Sequence, residues 1–227
     1  MRAVLLPAYG GSVATIWLSR MLQRAVTPAP VLKHELTKSK RGRTTQYVRG
    51  YCAAMVDSAA CKDGVVFIYV GSLEQDAVKS LCTLLSPYCA YLWREPVAHF
   101  KSMVNRAARK NGLTFNGRQL LKRARAYING KQALLTELHK HVPTMHHWHI
   151  KQYTNIASLQ LLMAAAGVAM IQDCSLLPPV NVGSELAAMF DVPTAVVEYI
   201  SVAHSKIAVL NDGYVAACAT VGGSNGG

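Results

Sequence analysis

The residues whose type and spacing could do chemistry are cations. Lys101, Asn105 and Arg109 recur at every fourth position with Arg106 and Lys110 beside them, and Arg118, Lys122 and Arg125 repeat the arrangement, flanked by Arg123 and Lys131. From Arg94 to Lys131 there are ten basic residues and one acid, Glu95. Like charges one helical turn apart repel by about 0.2–0.5 kcal/mol per pair unless an anion offsets them. Phosphate is the natural anion, so the stripe points to RNA held through its backbone. The expected RNA-binding residues are Arg94, Lys101, Arg106, Arg109, Lys110, Arg118, Lys122, Arg123 and Arg125. Such contacts position a protein without selecting sequence, so specificity would come from RNA shape. A solvated Lys/Arg face is the plainer alternative. A membrane partner is not expected, because these helices carry no Trp/Phe insertion edge.

Other constellations are thin. His139, His141, His146, His147 and His149 fall within eleven residues, and His146 with His149 could share a metal, but Glu137 is the one carboxylate close by. No metal is expected on that basis. Glu74 and Asp76 suit the start of a helix better than acid–base work. Cys174 and His204 have no spacing that favours a dyad over two buried residues. No G-x-G-x-x-G, Walker loop, H-E-x-x-H or G-x-S-x-G motif occurs, so neither enzymatic activity nor a cofactor is expected.

The charge is unevenly spread. Of 24 Lys and Arg, 23 lie in residues 1–151 with seven acids, while residues 152–227 hold Lys206 against five acids. The first part therefore faces a polyanion and the last third faces protein neighbours. A hydrophobic content of 51% over 227 residues is enough for a real core. Six cysteines without a C-x-x-C pair sit among apolar neighbours, which fits a reducing compartment. No apolar run reaches the roughly 18–20 residues needed to span a bilayer.

These residues must be positioned by the elements around them. Helical spacing over 47–56, a buried β-branched and aromatic run at 65–70, a helical stripe over 73–85, a short strand at 90–93 and a helix over 97–108 alternate as in an α/β sandwich. Residues 112–151 break that rhythm and read as an insertion: a basic helix at 118–128, a second helix at 132–141 and a Pro- and His-containing loop at 142–149. The pattern resumes with a helix at 156–166 and a strand at 168–172, then a helix at 184–190 and a strand at 194–200. A hairpin across Asn211-Asp212-Gly213 and a Gly/Ser-rich tail follow.

Before residue 28, Arg2, Arg20 and Arg24 with Ser12, Thr15 and Ser19 precede any acid, and residues 14–25 are amphipathic if helical. That composition suits a mitochondrial transit peptide, with a secretory signal as its rival. The expected organisation is a leader and basic linker at 1–44, a domain at 45–217 carrying the insertion, and a tail at 218–227.

The strings GVVFIYVGSLEQDAVKSLCTLL and AYLWREPVAHFKSMVNRAARKNG resemble the rRNA-binding domain of the large-subunit ribosomal protein ten family. AAGVAMIQD is similar to that family's third strand, and TAVVEYISVAHSKIAVLNDGYV to its closing strand and turn. Glu95-Pro96 departs from the family's polar pair, residues 112–151 have no counterpart there, and the family's long C-terminal helix is missing. The resemblance implies an α/β sandwich with a central mixed sheet. It further implies a structural constituent of the mitochondrial large ribosomal subunit at the stalk base, located in the matrix. Its partners would be large-subunit rRNA, neighbouring ribosomal proteins and acidic stalk protein dimers. An assembly factor at the same rRNA site, or an α/β RNA-modifying enzyme, would share much of this pattern.

Overall fold

The run Ala3-Val4-Leu5-Leu6 is apolar at every position, a pattern for a strand covered on both faces. In the computed structural model, which describes residues 2–10, 13–26, 31–33, 64–70, 75–142, 144–170 and 191–207, it forms β1 (Arg2–Pro7). Its neighbours are β3 (Val65–Val70) and β4 (Tyr88–Trp93), with β2 (Val31–Lys33) beyond β3 and β5 (Met145–His149) beyond β4. The order is β2-β3-β1-β4-β5 and every ladder in it is parallel. Val26 and Met170 add an isolated antiparallel bridge. The chain is an α/β sandwich.

Seven helices flank the sheet among the described residues: α1 (Thr15–Ala25), α2 (Gln75–Leu85), α3 (Pro96–Asn111), α4 (Gly117–His141), α5 (Ile150–Tyr153), α6 (Ile156–Ala165) and α7 (Thr194–Ser205). The period-two alternation of β1 splits its side chains between two cores. Val4 and Leu6 pack with α1, Trp148, Tyr153, Leu159 and Met163, whereas Leu5 packs with Val66, Ile68, Leu81, Leu134 and Leu138. A third cluster joins α3, α4 and α7 around Tyr91, Phe100, Tyr127 and Ile200.

Several expectations are corrected here. The segment read as a transit peptide is the middle strand of the sheet and a core helix. Met21, Leu22 and Ala25 are buried while Arg20, Gln23 and Arg24 face out, so the amphipathicity of a targeting helix is here that of a helix laid on a sheet. Residues 112–151, read as an insertion, supply α4 and β5 to the same fold. The two helices expected there are one: α4 runs through Gly130, opened by a capping box in which Asn116 and Gln119 exchange hydrogen bonds. The expected His-rich loop at 142–149 is mostly β5, stabilised by its ladder to β4, with His146 stacked on Tyr88 at 4.3 Å. The expected strand at 194–200 lies in α7. Val196, Ile200 and His204 are buried one turn apart, and packing on α4 overrides the β preference of its branched residues. The expected elements at 47–56 and 184–190 and the hairpin beyond 207 lie outside the described residues, as do residues 171–172 of the expected strand at 168–172, whose described part makes no strand beyond the single bridge at Met170.

Cys82 and Cys89 are buried free thiols, as the sequence suggested of small apolar residues, and burial pushes both up, Cys82 to about 11. Cys52, Cys61, Cys174 and Cys218 lie outside the described residues.

Candidate functional site

In an open parallel sheet, ligands bind beyond the carboxyl ends of the strands where successive connections depart in opposite directions. Here that place lies between β1 and β4. The chain leaves β1 through α1 toward β2 on one side, and leaves β4 through α3 and α4 toward β5 on the other. Two compartments meet there.

The first is a cationic corner. Arg94 follows the last residue of β4 and is half-buried. Beside it, His149 ends β5. Its Nδ1 accepts the Lys151 amide at 3.3 Å, which leaves the ring proton on Nε2, and that nitrogen is buried without a partner. Burial, with Lys151 and Arg94 nearby, holds the imidazole down to about 4, so near neutral pH it is an uncharged donor. The connection from β1 to α1 borders the corner. Tyr153, close enough to Arg94 to feel its charge, donates its hydroxyl to the Val13 carbonyl at 2.6 Å. Ala14, in the left-handed region at φ 53°, precedes α1, whose first amides receive no side-chain cap. A helix start of that kind accepts an anion.

Tyr153→Phe leaves the buried Val13 carbonyl without its donor, at a cost of about 1–3 kcal/mol. Urea unfolding of the variant at neutral pH is expected to show that loss. An unchanged midpoint would mean that this hydrogen bond does not hold the connection.

The second compartment is a cleft of about 390 Å3 between α3 and α4, lined on the β1 side by Tyr9 and Gly10. Its floor is apolar: Phe100 and Val104 from α3 and Tyr127 from α4, the last 6.1 Å from the Tyr9 ring. Gly10 takes φ +76°, which strains any L side chain, and a Cβ there would also have to displace the flexible end of Met103. At Gly130 the Tyr9 hydroxyl occupies the space a methyl would need. Arg106 and Lys110 reach the cleft from α3 and Arg123 from α4, and among the described residues no carboxylate lines it. Arg123 is steadied by the Phe115 ring, 4.2 Å from its guanidinium carbon.

The nine cations expected to bind RNA therefore divide. Arg106, Lys110 and Arg123 converge on the cleft and Arg94 stands at the neighbouring corner. Lys101, Arg109, Arg118, Lys122 and Arg125 are exposed on α3 and α4 and do not line the cleft. Lys131, counted with the basic face, belongs to the apolar stripe of α4 and is fully buried, its Nζ donating to His204 Nε2 at 2.8 Å. The His146 and His149 pair cannot share a metal, since residues three apart on a strand point to opposite faces. Glu137 is bound instead to Lys140 and His141, each at 3.0 Å. Sequence reasoning missed Tyr9, Gly10, Phe100 and Tyr127, and weighed His149 only as a metal ligand beside His146. A signal was present in the apolar run to Leu6 followed by Pro7-Ala8-Tyr9-Gly10-Gly11 and a helical pattern, which is a strand, a glycine turn and a helix in sequence.

No known family profile matches the chain, and no curated protein matches its sequence. Among solved structures, a sulfotransferase from Alicyclobacillus acidocaldarius is similar over 92% of this chain and 96% of its own, at 11% identity and a TM-score of 0.57. That likeness is one of fold. It covers nearly the whole chain and is to an enzyme, which overturns the ribosomal resemblance with its stalk-base, large-subunit and mitochondrial terms, and the non-enzymatic expectation with it. The α/β enzyme held as an alternative is nearer. The resemblance failed because a buried strand, a turn, a helix, a second strand and a basic helix recur in many α/β proteins, so residues 65–109 alone do not separate them.

Proposed function

We propose that the chain is a sulfotransferase-like enzyme that moves a sulfuryl group from an anionic nucleotide phosphosulfate to a hydroxyl acceptor. The observation that carries this reading is that two compartments, a cationic corner and a cleft with an apolar floor, flank the same β1–α1 connection, as a two-substrate transfer requires. The fold likeness to a sulfotransferase supports it.

In this reaction the acceptor oxygen forms a bond to sulfur as the bond from sulfur to the bridging phosphate oxygen breaks. The phosphate leaves with the electron pair, and the acceptor proton passes to solvent. The chain's part is electrostatic and positional. Arg94, the His149 Nε2 donor and the start of α1 hold the donor's oxyanions as charge accumulates on the leaving phosphate. The cleft holds the acceptor in line, which supplies much of the rate enhancement of a bimolecular transfer.

Incubation of the purified chain with a donor labelled in its sulfuryl group and a panel of hydroxyl compounds is expected to transfer label. Arg94→Ala is expected to weaken donor binding about ten- to hundred-fold, the effect of losing a charged hydrogen bond of about 1.5–3 kcal/mol. Absence of both donor binding and transfer rejects the reading.

A further inference from the structure

The cleft between α3 and α4 is more strongly charged than a site for a neutral alcohol requires. We propose that it selects an acceptor that is already anionic, a small hydroxylated ring compound carrying a carboxylate or an equivalent acidic group. This rests on the sulfuryl-transfer reading for the word acceptor, but the ligand chemistry follows from the cleft itself.

Arg106 and Lys110 stand one turn apart on α3 and face Arg123 on α4, three cations on two separate elements around one opening. Among the described residues no carboxylate in the cleft relieves their mutual repulsion, and the described ion pairs, both made by Glu137, involve none of the three. Among the other polar lining groups, the Asn111 side-chain amide is committed to the Ala107 carbonyl at 3.0 Å. Low-dielectric walls of Phe100, Val104 and Tyr127 focus the field of these cations into the cleft. The Phe115 ring steadies the Arg123 guanidinium, whose N–H fork can meet a planar anion in bidentate fashion. Below the cations, the tilted Tyr9 and Tyr127 rings and the buried Phe100 give an apolar floor for a ring face. A volume of about 390 Å3 admits one such compound and no polymer segment of length. Tyr9 and Gly10 line the cleft on the side of the β1–α1 connection, away from Lys110 and Arg123 in sequence, so an acceptor with its anion on the cations can turn its hydroxyl toward that connection.

Equilibrium binding of 4-hydroxybenzoate and of its neutral near-isostere 4-hydroxybenzamide to the full chain tests this without any donor. The acid is expected to bind at least about ten-fold more tightly than the amide. Combined Arg106→Ala, Lys110→Ala and Arg123→Ala should remove that preference. Combined Arg118→Ala, Lys122→Ala and Arg125→Ala removes the same charge outside the cleft and should leave the preference in place. All six side chains are on helix surfaces, and circular dichroism of each variant verifies the fold. Equal binding of acid and amide, or equal loss of preference in both triple variants, overturns the inference, the second outcome assigning the effect to overall charge. Transfer to neutral acceptors with no preference for the acid would sink the inference and leave the sulfuryl-transfer reading standing. An acid preference without donor binding would do the reverse.

Discussion

Removing residues 1–26 is expected to abolish the cooperative unfolding transition and not merely to lower its midpoint. That segment is β1, which is bonded to β3 on one side and β4 on the other, and α1, which covers it. Six of its large apolar side chains, Val4, Leu5, Leu6, Leu18, Met21 and Leu22, are at most 1% exposed. At about 1.5–3 kcal/mol each they contribute roughly 9–18 kcal/mol. That equals or exceeds the entire net stability of a typical domain, about 5–15 kcal/mol. The shortened chain would also expose two unpaired inner strand edges, which invites aggregation. Circular dichroism and urea unfolding of the two chains side by side provide the comparison. A shortened chain that unfolds cooperatively at the original midpoint would return these residues to the role of a removable leader.

The second large effect is expected at Lys131. Its ammonium has no exposure to solvent and donates to His204, with the rings of Tyr91 and Tyr127 each 5.6 Å away. Burial lowers its pKa from 10.5 to about 7, against a smaller opposing pull from Glu95. His204, facing it, is held down to about 3 by burial, then by Lys131 and His99. His147, held down to about 4, feels the same lysine. Between pH 7 and 10.5 the unfolded chain keeps the lysine proton that the folded chain has released, so the unfolded state binds more protons and stability rises with pH. Each pH unit across that window is worth about 1.4 kcal/mol, or roughly 5 kcal/mol in all. The histidines act in the same direction at lower pH, where the unfolded chain takes up protons below about 6.5 that the folded core refuses. Buried tyrosines oppose the trend above about pH 10, since Tyr91 and Tyr153 are held protonated after their unfolded counterparts ionise.

Lys131→Met keeps the volume and removes the window. It gives up the hydrogen bond to His204, a loss of about 1–3 kcal/mol. The variant is therefore expected to be more stable than the parent at pH 7 by about 2–4 kcal/mol. The difference should shrink as pH rises toward 10. Urea midpoints at pH 7, 8 and 9 measure both the offset and its slope. A variant less stable than the parent at pH 7, with parallel pH dependence, would show that the lysine is not buried as described.

Some of the fold was legible before any coordinates because its signals are local. The run Val65 to Val70 has a strand's composition and a buried strand's continuity, and the basic helical spacing from Arg118 onward marks a helix that the backbone obeys. Where local and tertiary preferences conflict, the reading failed. Thr194 to Ile200 has the β-branched content of a strand yet is helical, because helical spacing sets Val196, Ile200 and His204 against α4. Met145 to His149 has the polarity of a loop yet is a strand, because β4 offers it a ladder and Tyr88, Tyr91 and Trp93 offer its imidazoles ring faces.

The site divides in the same way. Charge density is a property of composition, so the sequence by itself determined that cations concentrate in residues 94–131. It determined too that the chain holds a core of alternating helix and strand. Which of these cations share a cavity is a property of how α3 and α4 face each other across Tyr9 and Gly10. Only the tertiary structure separated Arg106, Lys110 and Arg123 from the equally basic Arg118, Lys122 and Arg125, and only it turned Lys131 inward. The physical reason is that a residue's type fixes its charge, while its field, its solvation and its neighbours are set by residues far away in the chain.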